Sequence, residues 1–218
     1  MFFKQGLLVS LLCFCASNAN ADVVTSIAGA KANWTRGLLM AKAAAAADLL
    51  APRVEVARVK ATRQARARAI AIVKKAAKKM GHRGTITTDH TIVADRLWTS
   101  DGSTVLSVAV PITLLRSGPE VSFSNTVESS ALVIDARGSK AKPSLAFRLQ
   151  AGEVIAAGPI IFHNNEKEWL ADLRVGESPL RVKKTASQTS VLKIEEKSEV
   201  LEALRSGVPC FVLLGEKK

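Results

Sequence analysis

Residues 53–80 constrain the fold of this chain more than any other stretch. Val59, Ala65, Ala69, Ile70, Ile72, Val73, Ala76, Ala77 and Met80 fall on one side of a 3.6-residue projection. Lys60, Arg63, Arg68, Lys74, Lys75, Lys78 and Lys79 fall on the other, and Arg58 and Arg66 break the split. The pattern predicts one amphipathic helix, restarted at Pro52 and stopped by Gly81. At 1.5 Å per residue it spans about 42 Å. The two segments that follow, Thr85–Trp98 and Ser103–Leu115, are rich in Thr, Val and Ile and flank a Ser100-Asp101-Gly102-Ser103 turn. They predict a hairpin with strands of about 43 Å, so the helix can cover one face of it end to end. Two strands and a helix make a thin core. The N-terminal segment, the second half of the chain or another copy must complete it, which leaves an oligomer open.

The expected fold class is α+β: a long basic helix packed on an antiparallel hairpin or sheet, then a smaller β-rich unit with one helix. Residues 1–21 are read as a signal peptide, 22–52 as an Ala-rich N-terminal helical segment and 53–115 as the helix-plus-hairpin domain. Residues 116–127 are read as a linker and 128–218 as the β-rich C-terminal unit. Within 22–52, the Ala, Leu, Met and Lys content predicts a helix over about Thr35–Leu50. The C-terminal unit predicts strands at Ala131–Asp135, Ser144–Gln150, Val154–Ala157, Leu180–Lys184, Val191–Glu195 and Val208–Leu214. A helix capped by Ser198, running to Ser206 and ended by Gly207, precedes the last of these.

The signal reading rests on Lys4, an apolar run over residues 6–15 and small residues at Ala19 and Ala21. Cleavage after Ala21 gives a periplasmic or secreted protein. The run breaks at Ser17-Asn18, short of the length a membrane-spanning helix needs. Cys13 and Cys15 follow Leu12 and Phe14, not the small residue that precedes an acylated cysteine, and their removal leaves Cys210 as the sole cysteine, so no internal disulfide can form.

The processed chain carries 30 Lys+Arg against 19 Asp+Glu, a net charge of +11. Residues 53–83 hold 11 Lys+Arg against Glu55 alone, so nearly all of the excess sits on one helix. In an unexported protein such a helix would suggest nucleic acid. After export the expected partners are an envelope protein, an anionic envelope polymer or lipid headgroups at a peripheral membrane contact. The apolar face is mostly Ala, without the Leu, Phe and Trp of surface-seeking helices, and packing on the hairpin accounts for it. Arg63, Arg68, Lys74, Lys75, Lys78 and Lys79 are the candidate anion-binding residues, and a merely solvated face is the competing reading.

Catalytic signatures are scarce. The chain has no Tyr, which argues against a large aromatic-rich pocket, and lacks the nucleophile-elbow, phosphate-loop, dinucleotide, zinc-protease and C-x-x-C motifs. Ser139 to Lys142 and Ser190 to Lys193 match S-x-x-K, but neither serine opens a predicted helix. His82, His90 and His163 are scattered, and Cys210 lies in an apolar strand with no base beside it in sequence. The expectation is a non-enzyme with no metal and no cofactor. Asp135 and Arg137, two apart on one strand, point to the same face and form either a structural pair or a ligand site.

Ala51-Pro52 with the Ala/Arg helix RVKATRQARARAIAIVKKA, the strand segment LWTSDGSTVLSVAVPI and the segment ALVIDARGSKAKPSLAFRL occur in that order. Together they resemble secreted bacterial proteins of the twenty-kilodalton lipoprotein family, related to the N-terminal domain of flagellar assembly protein T, over about residues 51–160. The resemblance implies an envelope protein, with a helix on an antiparallel sheet and no established catalysis. It places the chain near the outer membrane or the flagellar base. The chain departs from the family in lacking a lipidation context and in carrying a more basic helix.

Overall fold

In the computed structural model, which describes residues 22–116, 131–156, 158–165 and 179–215, the chain is a mixed α+β protein. The predicted signal peptide and all but Arg116 of the predicted linker lie outside the described residues. The N-terminal half contains β1 (Val24–Ile27), β2 (Ala30–Asn33), β3 (Leu38–Ala45), α1 (Val54–Lys79), β4 (Ile92–Trp98) and β5 (Thr104–Pro111). The strands form one antiparallel sheet in the order β1-β2-β3-β5-β4.

β3 corrects the reading of Thr35–Leu50 as a helix and of 22–52 as a separate helical segment. It pairs with β5 along its whole length, from Leu38 against Pro111 to Ala45 against Thr104. Alanine favours a helix when nothing else decides. Here its small side chain lets α1 lie close on the sheet, and tertiary packing overrides local preference. At the β1–β2 turn, Ala28 and Gly29 both have positive φ (51° and 87°), the backbone that a two-residue hairpin with the right twist requires.

α1 packs on the antiparallel sheet chiefly through β3 and β5, so it is centred one strand away from the β4–β5 hairpin that the sequence suggests it covers end to end. Its buried side chains recur every fourth residue, Ala57, Ala61, Ala65, Ala69, Val73 and Ala77, with Ala76 joining them in the last turn. Four residues overshoot the 3.6-residue turn, so the stripe winds about 40° around the helix at each step, following the twist of the sheet beneath. Val59, expected to face inward, is 51% exposed, and Ala57 and Ala61 take the contact instead. The other sheet face, formed by Leu38, Met40, Val105, Ile92 and Leu97 according to the strand registers, is partly open to solvent. The β4–β5 turn is held by Asp101, whose carboxylate accepts from the Thr99 hydroxyl (2.5 Å), the Ser103 amide (3.0 Å) and the Ser103 hydroxyl (2.8 Å).

The C-terminal half comprises β6 (Leu132–Asp135), β7 (Arg148–Ala151), β8 (Val154–Ile155), β9 (Ile160–His163), β10 (Leu180–Val182), β11 (Lys184–Ser187), β12 (Val191–Ile194), α2 (Ser198–Ser206) and β13 (Cys210–Leu213). α2 and its left-handed Gly207 cap follow the sequence reading, but Ser198 lies inside the helix and the N-cap position is Lys197, which makes no side-chain cap bond. The strands divide into a parallel sheet, β10-β6-β13-β9, and a mixed sheet, β11-β12-β7-β8. The parallel sheet buries both faces, with Leu132, Ile134, Phe162 and Val212 on one and Val133, Ile161, Phe211 and Leu213 on the other. That explains the continuous apolar runs of its strands.

The two halves share one core, so 53–115 and 128–218 are not independently packed units. Trp34 meets Phe162 edge-on at 6.2 Å, and the Thr35 hydroxyl accepts from the Val23 amide (2.9 Å) and donates to the Phe162 carbonyl (2.6 Å). One apolar cluster runs from Leu39, Val73 and Val110 through to Ile134, Leu149 and Leu192.

Candidate functional site

Every one of the basic residues singled out on α1, Arg63, Arg68, Lys74, Lys75, Lys78 and Lys79, is exposed. On the helical projection Lys60, Arg63, Lys74 and Lys78 line the outer face, and Arg68, Lys75 and Lys79 lie to one side. Arg68 is drawn onto the sheet edge, where its Nη1 donates to the Ala44 carbonyl (2.8 Å). Arg58 and Arg66, the exceptions to the sequence pattern, are half-buried along the flanks of the helix.

The structure brings Lys74 and Lys78 together with residues 81–86, which the sequence reading divides between a helix stop at Gly81, a lone histidine at His82, the last charge of the basic stretch at Arg83 and a strand beginning at Thr85. Both lysines line a groove of about 660 Å³ with Gly81, His82, Arg83, Gly84, Thr85 and Ile86. Gly81, at φ 97°, turns the chain out of the helix, and the His82 amide then donates back to the Ala77 carbonyl (3.0 Å). His82 Nδ1 donates to the Leu115 carbonyl (2.9 Å), which ties the ring to the 3-10 turn Ile112–Leu115. Gly84 lies beneath that ring: a Cβ there would come within 2.9 Å of the imidazole Cε1 and Nε2. Buried Ile86 anchors the segment to the core.

No carboxylate lines the groove, and among the described residues none pairs with Lys74, Lys78 or Arg83. The volume suits a small anionic unit. Two ammonium groups and a planar guanidinium can give it charge-assisted hydrogen bonds. Among the described residues no three His, Cys, Asp or Glu side chains converge on a metal-sized site.

Asp135 and Arg137 lie at the carboxyl end of β6, the edge of a parallel sheet where ligands commonly bind. Here the two side chains engage one another. Arg137 donates through Nε (2.9 Å) and Nη2 (2.8 Å) to the two carboxylate oxygens, and its amide donates to Asp135 Oδ1 (3.1 Å). Lys184 Nζ donates to the Arg137 carbonyl. Hydrogen bonding by Arg137 holds the Asp135 carboxyl below the usual carboxylate range, against a smaller opposing effect of burial. The geometry is that of a fork-to-fork tie fixing the chain as it leaves the strand.

The remaining candidates occupy separate places. His90 lies in the loop before β4, where its Nδ1 accepts from the Thr87 amide (3.3 Å). His163 is buried at the end of β9 and stacks on Phe211 at 6.0 Å. Ser139 and Ser190 precede no helix, the former on a turn and the latter just ahead of β12. Cys210 is fully buried, and desolvation pushes its thiol up to about 12 against the opposing charge of Arg116, so the reactive thiolate is suppressed. The chain matches no protein-family model and no curated protein.

Proposed function

We propose that this chain is an exported, non-enzymatic binding module of the bacterial envelope, and that it holds an anionic polymer or lipid headgroup on the basic face and groove of α1. The observation that carries the reading is the groove itself: Lys74, Lys78, His82 and Arg83 converge on one concavity without a carboxylate. Arg36, Arg137 and Lys197 are each answered by a carboxylate, from Asp22, Asp135 and Glu195, whereas among the described residues no carboxylate pairs with Lys74, Lys78 or Arg83. The export signal predicted over residues 1–21 and the resemblance to secreted envelope proteins support the location.

Affinity for a soluble polyanion such as inorganic polyphosphate tests it. Binding by the parent should weaken steeply with salt, since exposed charges are screened within about 8–10 Å at physiological ionic strength. The Lys74→Gln, Lys78→Gln, Arg83→Gln triple variant should lose it while melting like the parent. Equal binding by both proteins would leave the basic face as a solvated surface.

A second reading, assembly with an envelope protein, is supported by the half-open apolar sheet face at Leu38, Met40, Val105, Ile92 and Leu97. A contact made there would survive high ionic strength.

A further inference from the structure

The turn that leads into α1 is built to present two leucines to solvent. Asp48 organises it: its carbonyl accepts from the Ala51 amide (3.0 Å), its Oδ1 from the Leu50 amide (3.1 Å), and its Oδ2 from Lys60 Nζ (2.8 Å). Leu49 and Leu50 occupy the two central positions, 87% and 94% exposed. The Lys60 bond pins the turn against the outer face of the helix, where Val56 and Val59 are also exposed. Beyond Lys60, which is paired with Asp48, the exposed cations Arg63, Lys74 and Lys78 continue along the outer face of the helix to the groove.

We infer that this surface docks on an anionic lipid bilayer, with Leu49 and Leu50 entering the interface and the cations of α1 meeting the headgroups. The inference rests on the anion-binding reading above and commits it to one source of anions. A soluble polyanion would engage the cations and leave the leucines unused. A membrane surface offers negative charge and an apolar layer directly beneath it, which matches both parts of the patch. The helix alone lacks the large apolar side chains for such a contact, and the turn supplies them. No helix among the described residues is long and apolar enough to cross a membrane.

Co-sedimentation with vesicles of phosphatidylcholine and phosphatidylglycerol in equal parts tests it, with pure phosphatidylcholine vesicles and soluble polyphosphate as separate arms. The parent should bind the anionic vesicles in preference to the neutral ones. The Leu49→Ser, Leu50→Ser variant should bind them about tenfold or more weakly and keep its affinity for polyphosphate. The Leu50→Trp variant, which places an amphipathic ring at the same point, should retain vesicle binding.

Vesicle binding by the serine variant within twofold of the parent would overturn the inference. So would a parent that binds polyphosphate but not vesicles, while leaving the anion-binding reading intact. A parent that binds neither overturns both. Self-association of the parent without vesicles, abolished by the serine changes, would identify a second copy as the occupant and also overturn it.

Discussion

The groove beyond α1 and the carboxyl end of β6 both place an arginine on an open edge, and they differ in what answers the charge. At β6 the Arg137 guanidinium meets both oxygens of Asp135 within a two-residue span. At the end of α1, Lys74, Lys78 and Arg83 surround a hollow with no acid in its lining. Two glycines and the His82–Leu115 hydrogen bond shape the chain there. A compensated cation spends its directional bonding on the fold, whereas an uncompensated one in a shaped concavity retains it for a ligand. The first kind should respond to mutation in stability and the second in binding.

The largest separation should come from charge reversal. Lys74→Glu with Lys78→Glu should lower polyphosphate affinity by about 100-fold or more, counting about 1 kcal/mol per charge at an anionic surface. The melting temperature should hardly move, since exposed substitutions shift stability by about 0.5 kcal/mol or less. Titration calorimetry beside thermal denaturation reads both quantities.

Asp135→Ala should do the reverse. The pair is part-exposed, with Arg137 27% and Asp135 46% accessible, so the loss should be about 1 kcal/mol or less, measured in urea, with polyanion binding unchanged. Because the folded-state carboxyl is held below its ordinary value, its contribution is fully present above about pH 4. It is lost as the pH falls through the depressed value. An acid titration of stability should therefore be shallower for Asp135→Asn than for the parent.

A smaller effect sharpens the role of shape. Gly84→Ala leaves every charge in place but puts a methyl group against the His82 ring. The ring must shift and loosen its bond to Leu115, and polyanion affinity should drop severalfold without unfolding. Unchanged affinity would mean that the groove geometry is incidental and only its charge counts.

The smallest effect concerns the β4–β5 turn. Hydrogen bonds, first from the Thr99 hydroxyl and then from the Ser103 amide and hydroxyl, hold Asp101 down to about 2. The turn should stay intact above about pH 4 and loosen as the pH falls toward 2, seen as a lower protection factor at the Ser103 amide, relative to its intrinsic exchange rate at each pH.

Local signals were readable in the sequence wherever one residue type settled the geometry. Gly81 ended α1, Asp101-Gly102 made the turn, and Gly207 capped α2. The Ala-rich strand was not readable, because Ala41 and Ala45 act through what packs on them and not through their own preference. The parallel sheet was hidden for a related reason: apolar runs such as Val208–Leu214 indicate burial but carry no information on strand order. The candidate cations on α1 were visible from periodicity alone. His82 and Arg83 are visible in the sequence as a scattered histidine and as one charge in the basic stretch 53–83, but a loop has no period to join them to Lys74 and Lys78. The signal that was present is Gly81-His82-Arg83-Gly84, two glycines bracketing two basic side chains directly after Lys78 and Lys79. Asp135 and Arg137 were recognisable as a pair, but which role they filled depended on coordinates.

Hydrogen–deuterium exchange of the full chain, with and without inorganic polyphosphate, bears most directly on the contrast between the two edges. Protection confined to residues 74–86, with 132–138 unchanged, is the predicted result. Protection at 132–138 in place of 74–86 would contradict it, as would the absence of any change at saturating ligand.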